Sequence, residues 1–170
     1  FRAPANEELF GVLDLDQVVD DAVQDLLAPE GVNCLRAWPG RGIRVWGART
    51  LSRDPAWRHV NVRRMVIGLK RRIDRALADT AFEPNGPALW MRIRREVQAD
   101  LDELWRAGAL QGETPALAYF VQCDAQNNPI ERRDVGELVA EIGLAPTVPA
   151  EFVLVRLIRR PGSREFETIE

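Results

Sequence analysis

Residues Gly31–Leu51 read GVNCLRAWPGRGIRVWGARTL, and this stretch decides how the rest of the chain is understood. Two short runs, Cys34–Trp38 and Ile43–Trp46, alternate apolar and polar residues as half-buried strands do. Pro39-Gly40-Arg41-Gly42 stands between them. It is too rich in glycine for a helix and the right length for a hairpin. Arg36, Arg41, Arg44 and Arg49 punctuate the strands, and Arg41 and Arg49 are expected to tie the turn to neighbouring carboxylates, with pairing to another chain as the alternative. Trp38 and Trp46 are expected in the core.

Outward from the hairpin, two long amphipathic helices are expected. The first covers about Val62–Asp79, with Asn61 as its cap and an apolar stripe through Met65, Val66, Leu69 and Ile73. The second starts at Asn85 or Gly86 with Pro87 in its first turn. It buries Leu89, Trp90, Ile93, Val97, Leu101, Leu104 and Trp105 and stops at Gly108. Before the hairpin, a shorter helix over about Leu15–Leu27 is expected, capped by Asp14 or Asp16, with Val18, Val19, Val23 and Leu26 on one face. Residues 1–13 read as an extended lead-in anchored by Phe10, Val12 and Leu13.

The last third is β-rich. Ala118–Cys123 reads as a strand, Ile130–Asp134 as one helical turn, and Leu138–Leu144 and Glu151–Ile158 as an antiparallel pair. Leu138, Ala140, Ile142 and Leu144 are expected on one face. A polar tail, Arg164–Glu170, follows Pro161-Gly162-Ser163. The expected class is α/β (α+β): a sandwich of a mixed sheet and two long helices, with extended terminal arms. The expected division is 1–13 lead-in, 14–160 domain, 161–170 arm.

The chain has 170 residues, 46% of them hydrophobic and 29% charged, so one domain can bury a real core. A net charge of -3 argues against a general nucleic-acid binder. Lys70 is the only lysine. Cys34 and Cys123 lie in apolar runs and read as buried free thiols. No signal peptide or membrane-spanning run is visible. The chain starts at Phe1 without methionine and is expected to be the later part of a longer protein.

Chemistry is sparse. His59 is the only histidine, neither cysteine has a motif partner, and no metal-ligand spacing occurs. A dyad of His59 with a cysteine, as in a small hydrolase, and an arginine-rich nucleic-acid-binding module are the two alternatives the residues allow. Gly40-Arg41-Gly42 matches neither phosphate-loop pattern. No catalytic, cofactor or metal residue is assigned.

The ordered set Ala3–Asn6, Gly31–Asn33, Pro39–Ile43, Val45–Thr50, Val60–Arg64, Phe82–Asn85 and Pro149–Phe152 resembles the C-terminal domain of contractile tail sheath proteins. That family serves contractile phages, R-type pyocins and extracellular contractile injection systems. The resemblance implies a non-enzymatic, cofactor-free subunit that stacks in helical rings around an inner tube protein, below a terminal cap and above a baseplate. It implies assembly in the bacterial cytoplasm into a tail or tail-like particle, with neither nucleic acid nor membrane insertion. It also implies lacing of neighbours by strand addition. The accepting sheet would involve Leu138, Ala140, Ile142, Phe152, Leu154 and Arg156. The donated arm would involve Arg164, Phe166, Thr168 and Ile169. Arg132 and Arg133 would face the tube, with Arg63–Arg75 as the rival site or an intersubunit surface.

Overall fold

The computed structural model describes residues 2–78, 83–147, 153–160 and 163–169. The chain forms two compact units, 1–65 and 66–170.

In the first unit, β1 (Cys34–Trp38) and β2 (Gly42–Trp46) pair antiparallel, Leu35 opposite Val45 and Ala37 opposite Ile43. This is the hairpin expected from the sequence. Residues 6–9 add a third extended piece along β2, through Asn6 N–H to Val45 O (2.7 Å), Val45 N–H to Glu7 O (3.0 Å) and Leu9 N–H to Ile43 O (2.9 Å). Residues 48–50 pair with 58–60 on either side of a 3-10 turn, Pro55–Trp57, capped by the Asp54 carboxylate. Cys34, Ile43, Trp57, Val62 and Met65 fill the core of this unit. Gly31 sits at φ +81°, and a Cβ there would run into the Thr50 carbonyl, so the chain passes only because no side chain is present.

α1 covers only Asp21–Leu27. The Asp20 carboxylate accepts from Val23 N–H at 2.8 Å and sets the start there, rather than at Asp14 or Asp16. The β-branched pair Val18-Val19 upstream disfavours an earlier turn. None of the residues of α1 is buried. Phe10, Val12 and Leu13 do not anchor the lead-in: they are exposed, and its main chain holds it instead.

α2 spans Val60–Ala76, and the boundary between the units falls inside it. Asn61 is therefore not the cap but an interior residue, 6% exposed, while His59 O accepts from Arg63 N–H. The expected end, Asp79, lies outside the described residues.

In the second unit, Val66, Leu69, Ile73 and Leu77 continue the buried stripe. α3 (Pro87–Arg106) starts from Gly86 with Pro87 in its first turn and buries Leu89, Trp90, Ile93, Val97 and Leu101. Leu104 and Trp105 are half-buried, Trp105 donating to Gly112 O at 2.9 Å. α4 (Pro115–Ala118) leads into a four-stranded sheet of order β3-β4-β5-β6: Tyr119–Gln122, Leu138–Leu144, Val153–Arg160 and Ser163–Ile169. α5 (Ile130–Asp134) interrupts the passage from β3 to β4, and α3 packs on β3.

The α+β class is as expected. Strand direction is corrected: every ladder among the described residues is antiparallel, so the sheets are not mixed. The single buried face expected for Leu138–Leu144 is also corrected. Val139 and Gly143 are buried along with Leu138, Ala140, Ile142 and Leu144, and only Glu141 is half-exposed, so β4 is covered on both sides.

Candidate assembly site

β5 and β6 form the C-terminal pair. Leu157 stands opposite Phe166, Val155 opposite Thr168, Arg159 opposite Arg164 and Leu154 opposite Ile169. Residues 163–169 thus pair as a strand within their own chain, at the outer edge of the sheet. On the other side of β5, Ala140 stands opposite Leu157 and Ile142 opposite Val155, whereas Leu154 faces Gly143 and Arg156 faces Glu141. Leu138, Ala140 and Ile142 therefore do not share cross-strand pairs with Leu154 and Arg156, and the expected accepting set is not one row. Phe152 lies outside the described residues.

α5 follows Pro129 and presents Arg132 and Arg133 in its last turn. Arg133 donates from Nε to Asn85 O at 3.0 Å and lies 5.6 Å over the Trp90 ring. Arg132 Nε is 3.7 Å from Glu137 Oε2. Arg132 also lines an open polar recess of about 310 Å³ with Gln122, Gln126, Asn127 and Glu141. The structure places the two arginines next to each other in sequence but in different work: Arg133 braces the start of α3, while Arg132 borders the recess. Sequence reading found neither the recess nor the brace. Asn127-Asn128-Pro129 reads locally as a turn, so no sequence signal pointed to either.

On the first unit, Trp38 and Trp46 stack at 4.6 Å with planes tilted by 44°. Arg36 lies 5.0 Å over Trp38 and pairs with Asp21 at 2.8 Å. Both tryptophans are half-buried rather than core. Arg41 and Arg49 bind amide oxygens, not carboxylates. Arg49 donates to Ala28 O at 2.8 Å and Arg41 to Asn6 Oδ1 at 3.3 Å. On α2, Arg63 lies 4.4 Å over the Trp57 ring, and Arg72 bridges Asp100 and Glu103 at 3.7 and 2.8 Å. Part of the basic face is thus spent on contacts within the chain.

His59 is half-buried. Loss of solvent, then the charges of Arg49 and Arg58, hold its imidazole below the usual histidine range, so neutral His59 borders two guanidinia. It makes no hydrogen bond or ion pair to a carboxylate or thiol among the described residues. Burial pushes the Cys123 thiol up to about 12, the wrong direction for a nucleophile. Among the described residues no three His, Cys, Asp or Glu side chains gather as a metal site, and no helix is long and apolar enough to cross a membrane.

The family model for the phage tail sheath C-terminal domain matches residues 52–158. The chain belongs to that family. Among solved structures, this sheath domain is similar to a chain of the anti-feeding prophage baseplate, with 37% identity, a TM-score of 0.83, and 89% of this chain and 42% of that chain covered. It is also similar to the sheath complex of an extracellular contractile injection system, PVC, in the contracted state, with 38% identity, a TM-score of 0.81, and 89% and 43% covered. The crystal structure of a sheath tail protein from Desulfitobacterium hafniense shares the fold at 14% identity, with a TM-score of 0.72 and 94% and 37% covered. The chain spans less than half the length of these relatives. Comparison with curated protein sequences gave no match.

Proposed function

We propose that this chain is the C-terminal, inner part of a contractile tail sheath subunit, a structural protein and not an enzyme. The observation that carries the reading is 38% identity over 89% of the chain to a sheath complex solved in its contracted state. Subunits would stack as helical rings around an inner tube protein between baseplate and cap, in a tail-like particle assembled in the bacterial cytoplasm. Neither nucleic acid nor membrane insertion enters this role. Contraction would be a shift between two packings of one subunit, driven by the lower free energy of the contracted one.

Residues 14–160 would form the inner domain and 161–170 the exchangeable arm. β6 pairs with β5 through main-chain hydrogen bonds, and a neighbour's copy of the same strand satisfies the same groups. Arm residues Arg164, Phe166, Thr168 and Ile169 would then meet β5 of the next subunit, with Leu138, Ala140 and Ile142 beneath and Phe152, Leu154 and Arg156 along the acceptor. Arg132 and Arg133 are the proposed tube-facing pair.

Electron microscopy of the full-length protein tests the reading. Helical tubes are expected. Removal of residues 163–170 should leave the remaining domain folded and abolish the tubes. Discrete particles that never polymerise would overturn the sheath role, and normal tubes from the truncated protein would overturn the arm.

A further inference from the structure

Charge is unevenly spread along this chain. Residues 3–35 carry carboxylates at 7, 8, 14, 16, 20, 21, 25 and 30 and neither lysine nor arginine. Asp21 meets Arg36, and Glu8 lies 3.9 Å from Arg44. Asp16 and Asp25 are exposed and have no basic partner among the described residues. The same stretch exposes Leu13 (101%), Val18 (91%) and Leu26 (75%). These apolar side chains stand in the same short segment as the unpaired acids and are open to cover by another surface.

A complementary surface exists on α2. Ile67, Gly68, Arg71 and Arg75 recur at spacings of one, four and eight and share one helix face. Ile67 is 41% exposed, and Arg71 and Arg75 are exposed with no carboxylate partner among the described residues. Gly68 lies inside a helix of 17 residues, where glycine weakens the helix relative to alanine. A Cβ at Gly68 would meet nothing within 4 Å, so no neighbour within the chain requires its absence. Gly68 thus leaves a gap in the row between the apolar Ile67 and the two arginines that follow on the same face. It suits the close approach of another backbone.

We propose that the acidic, apolar segment 13–26 of one copy docks on the Ile67–Gly68–Arg71–Arg75 row of a neighbouring copy. That the partner is a second copy rests on the sheath reading. The choice of surfaces rests on opposite charge, on exposed apolar side chains in both, and on the unexplained glycine. The two surfaces differ, so the contact is head-to-tail, and repetition of such a contact builds an open helix rather than a closed pair. Its strength falls as salt rises.

Charge reversal in the full-length protein tests the contact. Asp16→Arg with Asp25→Arg places arginine against arginine, and Arg71→Glu with Arg75→Glu places acid against acid. Each variant should fold as the unmodified protein does and raise the critical concentration for polymerisation at least tenfold. Mixed one to one, the two variants should polymerise again, because every contact in an alternating polymer then joins opposite charges. Gly68→Leu should fold and fail to polymerise. Unmodified protein that forms no helical polymer removes the sheath reading and this contact together. Polymers from the unmodified protein and from both reversed variants keep the sheath reading and remove this contact. A mixture no better than either variant alone also removes it, and a defect of the Arg71/Arg75 variant seen only with tube present assigns the row to the tube.

Discussion

The side chain of Asn128 takes the place of a strand beside Val139. Its Nδ2 donates to Val139 O at 2.9 Å, and its Oδ1 accepts from Val139 N–H at 2.7 Å. β3 ends with Gln122 opposite Glu141, so the Val139 main chain lies beyond the reach of that ladder. Asn128 is 1% exposed, and its amide also reaches Asp124 O at 3.0 Å. One carboxamide therefore closes the open end of the β3–β4 pair and ties it to the loop before α5.

Asn128→Ala leaves a buried N–H and a buried carbonyl without partners. An unsatisfied buried group costs about 1–3 kcal/mol, so for the two groups the expected loss is about 2–6 kcal/mol. Asn128→Asp keeps an acceptor for Val139 N–H but loses the donor and buries a charge, and it should be no milder. Urea denaturation monitored by tryptophan fluorescence checks both. A loss below about 0.5 kcal/mol for the alanine variant would show that the loop closes the strand end without this amide.

Gly143 and Phe120 form a second close pair. They are opposite each other in the β3–β4 register, and a Cβ on Gly143 would run into the Phe120 ring. The ring lies against the glycine while 42% of Phe120 stays exposed. Gly143→Ala should cost about 1–3 kcal/mol, as overpacking does. In a Phe120→Ala background the same change should cost much less, because the obstacle is gone. Additive losses in the double-mutant cycle would show that the strain arises elsewhere.

How much of this was legible in the sequence depends on how local each signal is. The β1–β2 hairpin was readable because alternation and the Pro39–Gly42 turn lie within a few residues of each other. α3 was readable because Pro87, a regular apolar stripe and Gly108 mark its ends and its face. α1 was misjudged because its apolar spacing is real but no core covers it, and the Asp20 cap moved its start. The burial of β4 on both faces is set by tertiary packing from outside the strand, which no window of sequence contains. At the assembly site, the strand character of residues 163–169 was legible, whereas the partner they pair with is a long-range choice made by register. Gly68 went unnoticed because a glycine inside a helical pattern reads as a tolerated weakness until its surroundings are known.

The protein should lose stability in alkali as Cys123 and Tyr119 begin to titrate in the unfolded chain. Tyr119 donates from its hydroxyl to Asp102 Oδ1 at 2.6 Å, and burial followed by that bond pushes the phenol up to about 12 from 10.0. Burial first, then the Asp124 charge, pushes the Cys123 thiol up to about 12 from 9.0. Both groups are acids whose folded values lie above their unfolded ones. The folded state therefore holds their protons more tightly, and the stability this confers is complete below pH 9. As pH rises from about 9 towards 12, the unfolded chain releases these protons first and the advantage drains away. The melting temperature should stay level from pH 7 to 8.5 and fall steadily above pH 9. Tyr119→Phe should flatten the part of the fall that begins near pH 10, and Cys123→Ala the part that begins near pH 9. At pH 8 Cys123 should resist iodoacetamide until the protein is denatured, since it is 1% exposed and protonated. Rapid labelling of native Cys123 at that pH, or an alkaline limb unchanged in both variants, would remove these two groups as its cause.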